Sequence, residues 1–545
     1  MAHTLINRYR ILTALLILAL LAMTAAFGVL HPFDDDEFQH AHYAWLLHQG
    51  QLPFQDFFEH HLPTYHRLVA PVYALGEAPE TLFALRFVSW ACLVAVLACV
   101  YGAGRTLCSG PAGPTAAILL LVTAPIFLAK MLEARPEAPA LLCFAGALRL
   151  LFACRRDGDG RVSARIALAG FLAGAMPALS HKFGLSAAAL VAGAFLLHGG
   201  RRGFLFMAAS ALPLLAVLAW AAAQGILGDL IHNVFVLGVE WKHRFSPSGY
   251  LASLWSESAL LVSAGFAGLL LLVGESARGR RQAAFLFMVL AAATATLFLV
   301  PEPYRQSFLP LFPLLAIGAA VMADRAWQWI RHAGGIPVAG VAAALVVLAA
   351  AALYPGVTSL AADLKLSPSA DLRRMRAAEA TGSPRYFDGR GLLFYRPHTG
   401  RHACMHEGIQ AMLDPARFAT ETIDALRAAG CPTVILDYRV LQMPEAVVNF
   451  IRGHYLPIGD EVFVPGFRVD RSRLVGRSCR VQVSVDGLYR VSWRSGKVRC
   501  DGREVTSGAA LPLAAGEHVL EGVGFVDGFT ALLEKRAPAG KGAQP

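Results

Sequence analysis

Charge is what this sequence has least of: Asp, Glu, Lys and Arg make up 16% of its 545 residues, against about 25% in an ordinary soluble protein. With 56% hydrophobic residues and a mean hydropathy of +0.50, that shortage excludes most water-soluble enzymes. It also excludes intrinsic disorder, which needs low hydrophobicity and high net charge. Acid is the scarcer sign, 38 Asp+Glu against 48 Lys+Arg, a balance of +10. A basic balance can mean nucleic acid, but in so apolar a chain basic residues mark cytoplasmic loops, and their placement counts more than their sum. The nine cysteines include no CxxC pair and no zinc spacing, which argues against a structural metal. There is no long internal repeat. What the chain has in abundance is long apolar runs, and it reads as a polytopic membrane protein.

The first run extends from about Ile11 to Leu30, and others centre near Val94, Leu121, Phe144, Leu172, Leu190, Leu214, Phe266, Leu290, Ile317 and Leu345. That predicts about eleven transmembrane helices, of which those near Leu121, Leu190 and Ile317 are short or Gly/Pro-interrupted. A cleaved signal peptide is the rival reading of the first run, which is long for one. With the N-terminus inside, Arg8, Arg10, Arg105, Arg155, Arg156, Arg161, Arg165, Arg201, Arg202, Arg278, Arg280, Arg281, Arg325 and Arg331 fall in cytoplasmic loops. The opposite loops hold Asp34, Asp35, Asp36, Glu37, Glu133, Glu137 and Glu302. This is the positive-inside pattern, and an odd number of spans leaves everything after Tyr354 outside. The expected domains are a transmembrane domain over 1–354, an extracytoplasmic soluble domain over 355–534 and a disordered tail over 535–545.

Two outside loops are long, 31–81 and 228–257. The first contains seven of the 18 histidines: His31, His40, His42, His48, His60, His61 and His66. Within it, Asp36 to His48 reads as a helix with acid in its first turn and Gly50 past its end. Phe38, Ala41, Trp45 and Leu46 would form an apolar face, suiting a helix laid flat on the membrane surface. In the soluble domain a helical stretch from Pro415 to Ala429 precedes the strand-like "CPTVILDY", and from Arg480 strand patterns with Asp-Gly turns predict a small β-sandwich. Cys92, Cys99, Cys108, Cys143 and Cys154 fall in or near spans as packing residues. Cys479 and Cys500 flank a hairpin-like segment in an oxidising compartment and are expected to form a disulfide, with Cys404 and Cys431 leaving other pairings open.

The strongest chemical signal is "HPFDDDEFQH" directly after the first span, since acids at a membrane boundary are costly unless solvated or functional. Asp36, His40 and Tyr43 recur at i, i+4, i+7 and would share one helical face, where a carboxylate beside an imidazole suits a general base. A solvated acidic helix cap is the plainer alternative. In "LEARPEAP", Glu133 or Glu137 would orient an acceptor and Arg135 would order the acidic loop; a self-neutralising loop competes with that reading. Lys182 in "SHKFG" and Arg305 beside Tyr304 in "PEPYRQSFLP" sit at outside ends of spans, against the charge rule. A lipid phosphate would explain them, as would snorkelling. Histidines suit metal, but adjacent His60 and His61 cannot point the same way on a regular element.

Taken together, the acidic pair after the first span, "HLPTYH" in a long first loop, "ARPE", the "HKFG" turn and "YRQSFLPLFP" opening a late span resemble a known superfamily. It is the GT-C glycosyltransferases, family 39-like, that include protein O-mannosyltransferases, aminoarabinose transferases and lipopolysaccharide-core galacturonosyltransferases. The resemblance covers about Met1 to Tyr354. It implies an α-helical polytopic fold with an extracytoplasmic α/β plus β-sandwich domain, and an inverting transferase on the outer face of the inner membrane. The implied donor is a polyprenyl-phosphate sugar; the acceptor is a lipid, glycan or protein. It puts the catalytic base on Asp36 of the Asp36-Glu37 pair, with Asp34 and Asp35 leaving the registry open by one. Lys182, Tyr304 and Arg305 match positions that hold the lipid phosphate, and His60 and His61 stand where relatives often carry a lysine. No cofactor or metal is obligatory in such enzymes. The competing reading is a non-enzymatic transporter or flippase of an envelope lipid, which would place ionisable residues near the bilayer midplane rather than at its outer boundary.

Overall fold

The computed structural model describes residues 18–154, 159–332, 350, 353–402, 404–430, 432–470, 478–523 and 528–536. The start of the first span, the span near Leu345, Cys431 and the tail beyond 536 lie outside them. The chain divides into two compact units, Met1–Gln55 with Glu59–Pro368, and Asp56–Phe58 with Ser369–Pro545.

The first unit is helical. In chain order its main elements are α1 (Leu18–Leu30), α2 (Asp35–His48), α3 (Thr64–Val69), α4 (Thr81–Leu107), α5 (Ala112–Val122), α6 (Pro125–Leu132), α7 (Glu137–Ala153), α8 (Asp159–Leu179), α9 (Gly184–His198) and α10 (Gly200–Ala223). There follow two short helices, α11 (Leu227–Leu230) and α12 (Leu237–Glu240), and then α13 (Ser248–Val273), α14 (Ala277–Leu299) and α15 (Leu311–His332). Every expected span within the described residues is helical. Among the described residues, six helices are long and apolar enough on their own to cross a membrane, and α5 with α6 makes a seventh bent by 73°. Pro125 causes that bend: it supplies no amide hydrogen and forces Ala124 into an extended conformation (φ −86, ψ 112).

The centre of the unit is α15, where every residue from Leu311 to Val321 is buried. It can pack so closely on α13 because glycines face each other. A Cβ at Gly268 would lie 1.8 Å from the Gly318 carbonyl oxygen, and one at Gly318 would lie 2.2 Å from that of Gly265. Small residues at crossings are how helices associate in a medium that offers no hydrophobic drive. By contrast α10 buries little of its apolar surface, as a helix facing lipid does. The expectation of a flat surface helix is corrected for α2: from Glu37 to Leu46 it is enclosed by protein on all sides. Its polar face carries Gln39, His40 and His42, which pack inward with the rest.

The second unit combines helices Ser369–Glu379, Pro415–Ala428 and Glu445–His454 with strands β1 (Tyr386–Phe387), β2 (Thr433–Ile435), β3 (Tyr455–Gly459), β4 (Val462–Val469), β5 (Ser478–Val483), β6 (Gly487–Ser492), β7 (Lys497–Cys500), β8 (Arg503–Val505), β9 (Ala510–Leu513), β10 (Gly516–Val523) and β11 (Phe529–Arg536). One sheet runs β1-β2-β4-β11-β6-β9 with β3 on β4; the other runs β5-β10-β7-β8. β1 and β2 pair in parallel, giving that end its α/β character. Phe467, Val491 and Phe529 of the first sheet share a core with Val481, Val498 and Leu520 of the second, so the predicted sandwich forms.

The expected Cys479–Cys500 disulfide does not form: both thiols are free and buried. Leu520 of β10 pairs with Cys479 on one side and Cys500 on the other. Two strand spacings therefore separate them, about 10 Å, beyond the roughly 7 Å limit for a bridge.

Candidate functional site

The acidic loop is built around the start of α2. Asp34 caps the helix, its Oδ1 accepting the Asp36 amide hydrogen at 3.0 Å, while Glu37 Oε2 accepts the Asp34 amide hydrogen at 2.9 Å. This reciprocal cap fixes which acid faces where. Glu37, with no exposed surface, turns into the protein: Arg86 of α4 grips both its oxygens, with Nε at 2.8 Å from Oε1, and the Ala134 amide donates to Oε1 at 2.8 Å. Asp36, 28% exposed, turns outward. One helical step thus separates a sealed carboxylate from an accessible one.

Asp36 stands at the end of a row of alternating charge. Its Oδ2 accepts from Arg135 Nη2 at 2.7 Å; Arg135 Nε faces Glu137 Oε2 at 3.5 Å; and Glu137 Oε1 accepts from Lys182 Nζ at 3.3 Å. Arg135, 2% exposed, also donates from Nη1 to Asp34 at 3.0 Å and to Glu133 at 3.2 Å. Lys130 of α6 completes the cluster, donating to Asp34 at 2.9 Å and to Glu133 at 2.7 Å. Burial alone would raise the Asp34 carboxyl, but Lys130 and Arg135 outweigh it and hold Asp34 below the usual carboxylate range. Burial wins at Glu133, assisted by Asp34, and pushes it up to about 7.

A histidine group adjoins this row. His40, one turn beyond Asp36, shares a hydrogen between its Nδ1 and His66 Nε2 at 3.0 Å. Glu59 Oε1 accepts from the amides of His60 and His61 and meets His61 Nδ1, each at 2.8 Å. Burial lowers His66 to about 4 and holds His40 well below its ordinary value, so both rings are neutral at pH 7. The loop here is irregular, and so adjacent His60 and His61 both turn a nitrogen towards Glu59; the premise that they must diverge applied only to a regular element. Ligand atoms of Glu59, His60 and His61 lie within 4.8 Å of one another, a spacing that could hold a divalent cation.

Tyr304 and Arg305 sit at the start of the short helical turn Arg305–Phe308, which packs against α6. Arg305 is exposed, with its guanidinium 6.0 Å from the centre of the Tyr250 ring, and Tyr304 stacks edge-on with Phe245 at 4.9 Å. The structure thus brings Asp36, Arg135, Glu133, Glu137 and Lys182 into one network, sets His40 one helical turn from Asp36, and places Tyr304 and Arg305 on a separate turn packed against α6. Sequence reasoning missed Arg86, Lys130, Glu59 and His66. Two of these carried a signal: an arginine inside the apolar run "LFALRFVSW" demands a partner, and Lys130 stands three residues before Glu133 on one helical face.

A helical unit with its charged side chains gathered into one cluster precedes a β-sheet domain, and this fold recurs among solved structures. Two solved structures share it. ArnT from Cupriavidus metallidurans in the apo state superposes with a TM-score of 0.55 at 14% identity, over 84% of this chain and 98% of that one. The same protein bound to undecaprenyl phosphate gives 0.50 at 15% identity, over 74% and 88%. At such identities the likeness is one of fold. No protein-family model matches the sequence, and no curated protein matches it.

Proposed function

We propose that this protein is an inverting glycosyltransferase that takes a sugar from a polyprenyl-phosphate donor at the outer face of the inner membrane. Its N-terminus is cytoplasmic and its second unit lies outside, as the arginine distribution requires. The observation that carries the proposal is the row Asp36–Arg135–Glu137–Lys182, which holds an accessible carboxylate and a cation at the two ends of one rigid chain of ion pairs. The fold, shared with a protein solved with undecaprenyl phosphate, favours a polyprenyl phosphate as the donor's lipid.

Asp36 takes the proton of the acceptor hydroxyl as its oxygen attacks the anomeric carbon from the face opposite the departing phosphate. Arg135 fixes the carboxylate's orientation. Lys182 has three ammonium hydrogens and uses one on Glu137, so it can also meet a phosphate oxygen, and Tyr304 and Arg305 belong to the same phosphate-binding group. Charge developing on the leaving phosphate is stabilised there. Glu37, which the resemblance pairs with Asp36, acts through Arg86 as the anchor of the loop. Glu133 and His40 shape the acceptor side, whereas His60 and His61, the latter stacked on His181 beside Lys182, belong to the phosphate side.

The test is transfer in proteoliposomes from a labelled polyprenyl-phosphate sugar to lipid, glycan and peptide acceptors. Asp36→Asn should lower kcat about 100-fold or more with donor KM little changed, whereas Lys182→Met should raise donor KM and lower kcat together. Normal turnover by Asp36→Asn, or donor crossing the bilayer with no sugar transferred by the wild type, would overturn the proposal.

A further inference from the structure

The β-sandwich of the second unit carries a cluster that the membrane site does not use: Cys500, Asp501 and His518. Sequence spacing hid it, because sixteen residues of loop and strand separate the Cys-Asp pair from the histidine. Strand pairing brings them together. Leu520 of β10 lies opposite Cys500 of β7, and the Asp501 amide donates to the Val519 carbonyl at 2.9 Å. His518 is two residues before Leu520 and so shares its face, the face on which Cys500 also lies. Asp501 begins the turn out of β7 with φ +49, and its Oδ1 accepts the Val519 amide hydrogen at 2.9 Å, which aims Oδ2 back at the other two side chains.

The result is three donor atoms of different chemistry converging on one point. Cys500 Sγ, an Asp501 carboxylate oxygen and His518 Nδ1 all lie within 4.8 Å of one another, with Sγ 3.9 Å and Nδ1 2.6 Å from Oδ2. The second nitrogen of the histidine settles how the ring is presented. His518 Nε2 is 2.8 Å from the Ala514 carbonyl oxygen, which can only accept, so Nε2 carries the hydrogen. The other nitrogen, Nδ1, faces Asp501 Oδ2 at 2.6 Å, a pair satisfied by a positive centre between them, either a proton or a metal ion. A backbone carbonyl fixing the tautomer from behind is the usual support of a metal-bound imidazole. The cluster is also reachable: Cys500 is buried at 4% exposure, but the Asp501 side chain is half exposed and opens the site to solvent.

We propose that Cys500, Asp501 and His518 bind a divalent metal ion of the zinc class, with water in the fourth position. Thiolate, imidazole and carboxylate are the ligand types such an ion takes at about 2.0–2.3 Å. Small side-chain rotations bring the three donors from their present separations to those distances. On binding, the Cys500 thiol gives its proton to solvent and its sulfur bonds the metal, and where His518 Nδ1 carries a proton that proton is released as well. The ion ties the β7–β8 turn to β10 and holds the edge of the second sheet in a unit with no disulfide among its described residues. This inference does not rest on the transferase proposal.

The experiment is a Co2+ titration of the full chain in detergent micelles, followed by displacement with Zn2+. A sulfur-to-cobalt charge-transfer band in the near ultraviolet should saturate at one ion per chain and be bleached by Zn2+. The Glu59, His60 and His61 group offers no thiolate and cannot produce this band. Cys500→Ser should abolish the band, and His518→Gln should weaken binding about 10-fold or more while the band persists at saturation. Cys500→Ser differs by a single atom, and an unchanged thermal transition of the metal-free variant establishes that it folds. Absence of the band in the wild type would mean that His518 and Asp501 form a simple ion pair and would overturn the proposal, as would a band that survives Cys500→Ser.

Discussion

Replacing Arg86 by Met tests how the acidic loop is anchored. Glu37 is wholly buried, and Arg86 is its countercharge; the same guanidinium donates to the carbonyls of Gly28 at 2.9 Å, His31 at 2.7 Å and Pro32 at 2.7 Å. Methionine keeps the volume and removes all five hydrogen bonds. Removing one partner of a buried pair strands the other charge, at a cost of about 3–5 kcal/mol. Part of that cost falls on the loop between α1 and α2, so Asp36 should lose its fixed orientation and turnover should fall with stability. The assay is a double-mutant cycle with Glu37→Gln, reading equilibrium unfolding in mixed detergent micelles. The double variant should cost at least 1 kcal/mol less than the sum of the two single variants, because the stranded charge is gone. A single Arg86→Met cost below about 1 kcal/mol, or strict additivity, would refute the view that this pair holds the site.

Three further outcomes are expected. Glu133 titrates at about 7 in the folded protein against an ordinary 4.5, so between those values the folded state holds a proton that the unfolded chain has lost; its burial therefore begins to destabilise as pH rises through that window, and costs nothing below it. Infrared spectra should show a protonated carboxyl band disappearing near pH 7 and missing in Glu133→Gln; no such band would contradict the assignment. Gly268→Val places side-chain atoms against the Gly318 carbonyl and should destabilise the unit by about 1–3 kcal/mol or more, measured as a lowered unfolding transition in detergent. Alkylation of the denatured, unreduced and metal-stripped protein should label both Cys479 and Cys500; a mass spectrum showing them linked would contradict the strand order of the second sheet.

The sequence by itself determined the class of protein and the position of each described span, because apolar runs of helical length have few alternatives in a bilayer. It also determined that the acids of "DDDEF" begin a helix, and it brought Asp36, Arg135 and Lys182 under suspicion, since each is a charge at a boundary where charge is costly. Tertiary structure alone decided which acid faces where. Asp36 and Glu37 are neighbours in the chain and indistinguishable there, yet α2 rotates one outward to Arg135 and the other inward to Arg86, a residue 49 positions away. Packing likewise enclosed α2, whose apolar face alone suggested a membrane surface. In the second unit, strand order set Leu520 between Cys479 and Cys500 and carried His518 to Asp501 instead. Periodicity is a local property and can be read from a line of residues. Which strand lies between two others, or which arginine reaches a buried carboxylate, depends on contacts between distant segments, and these exist only once the chain has folded.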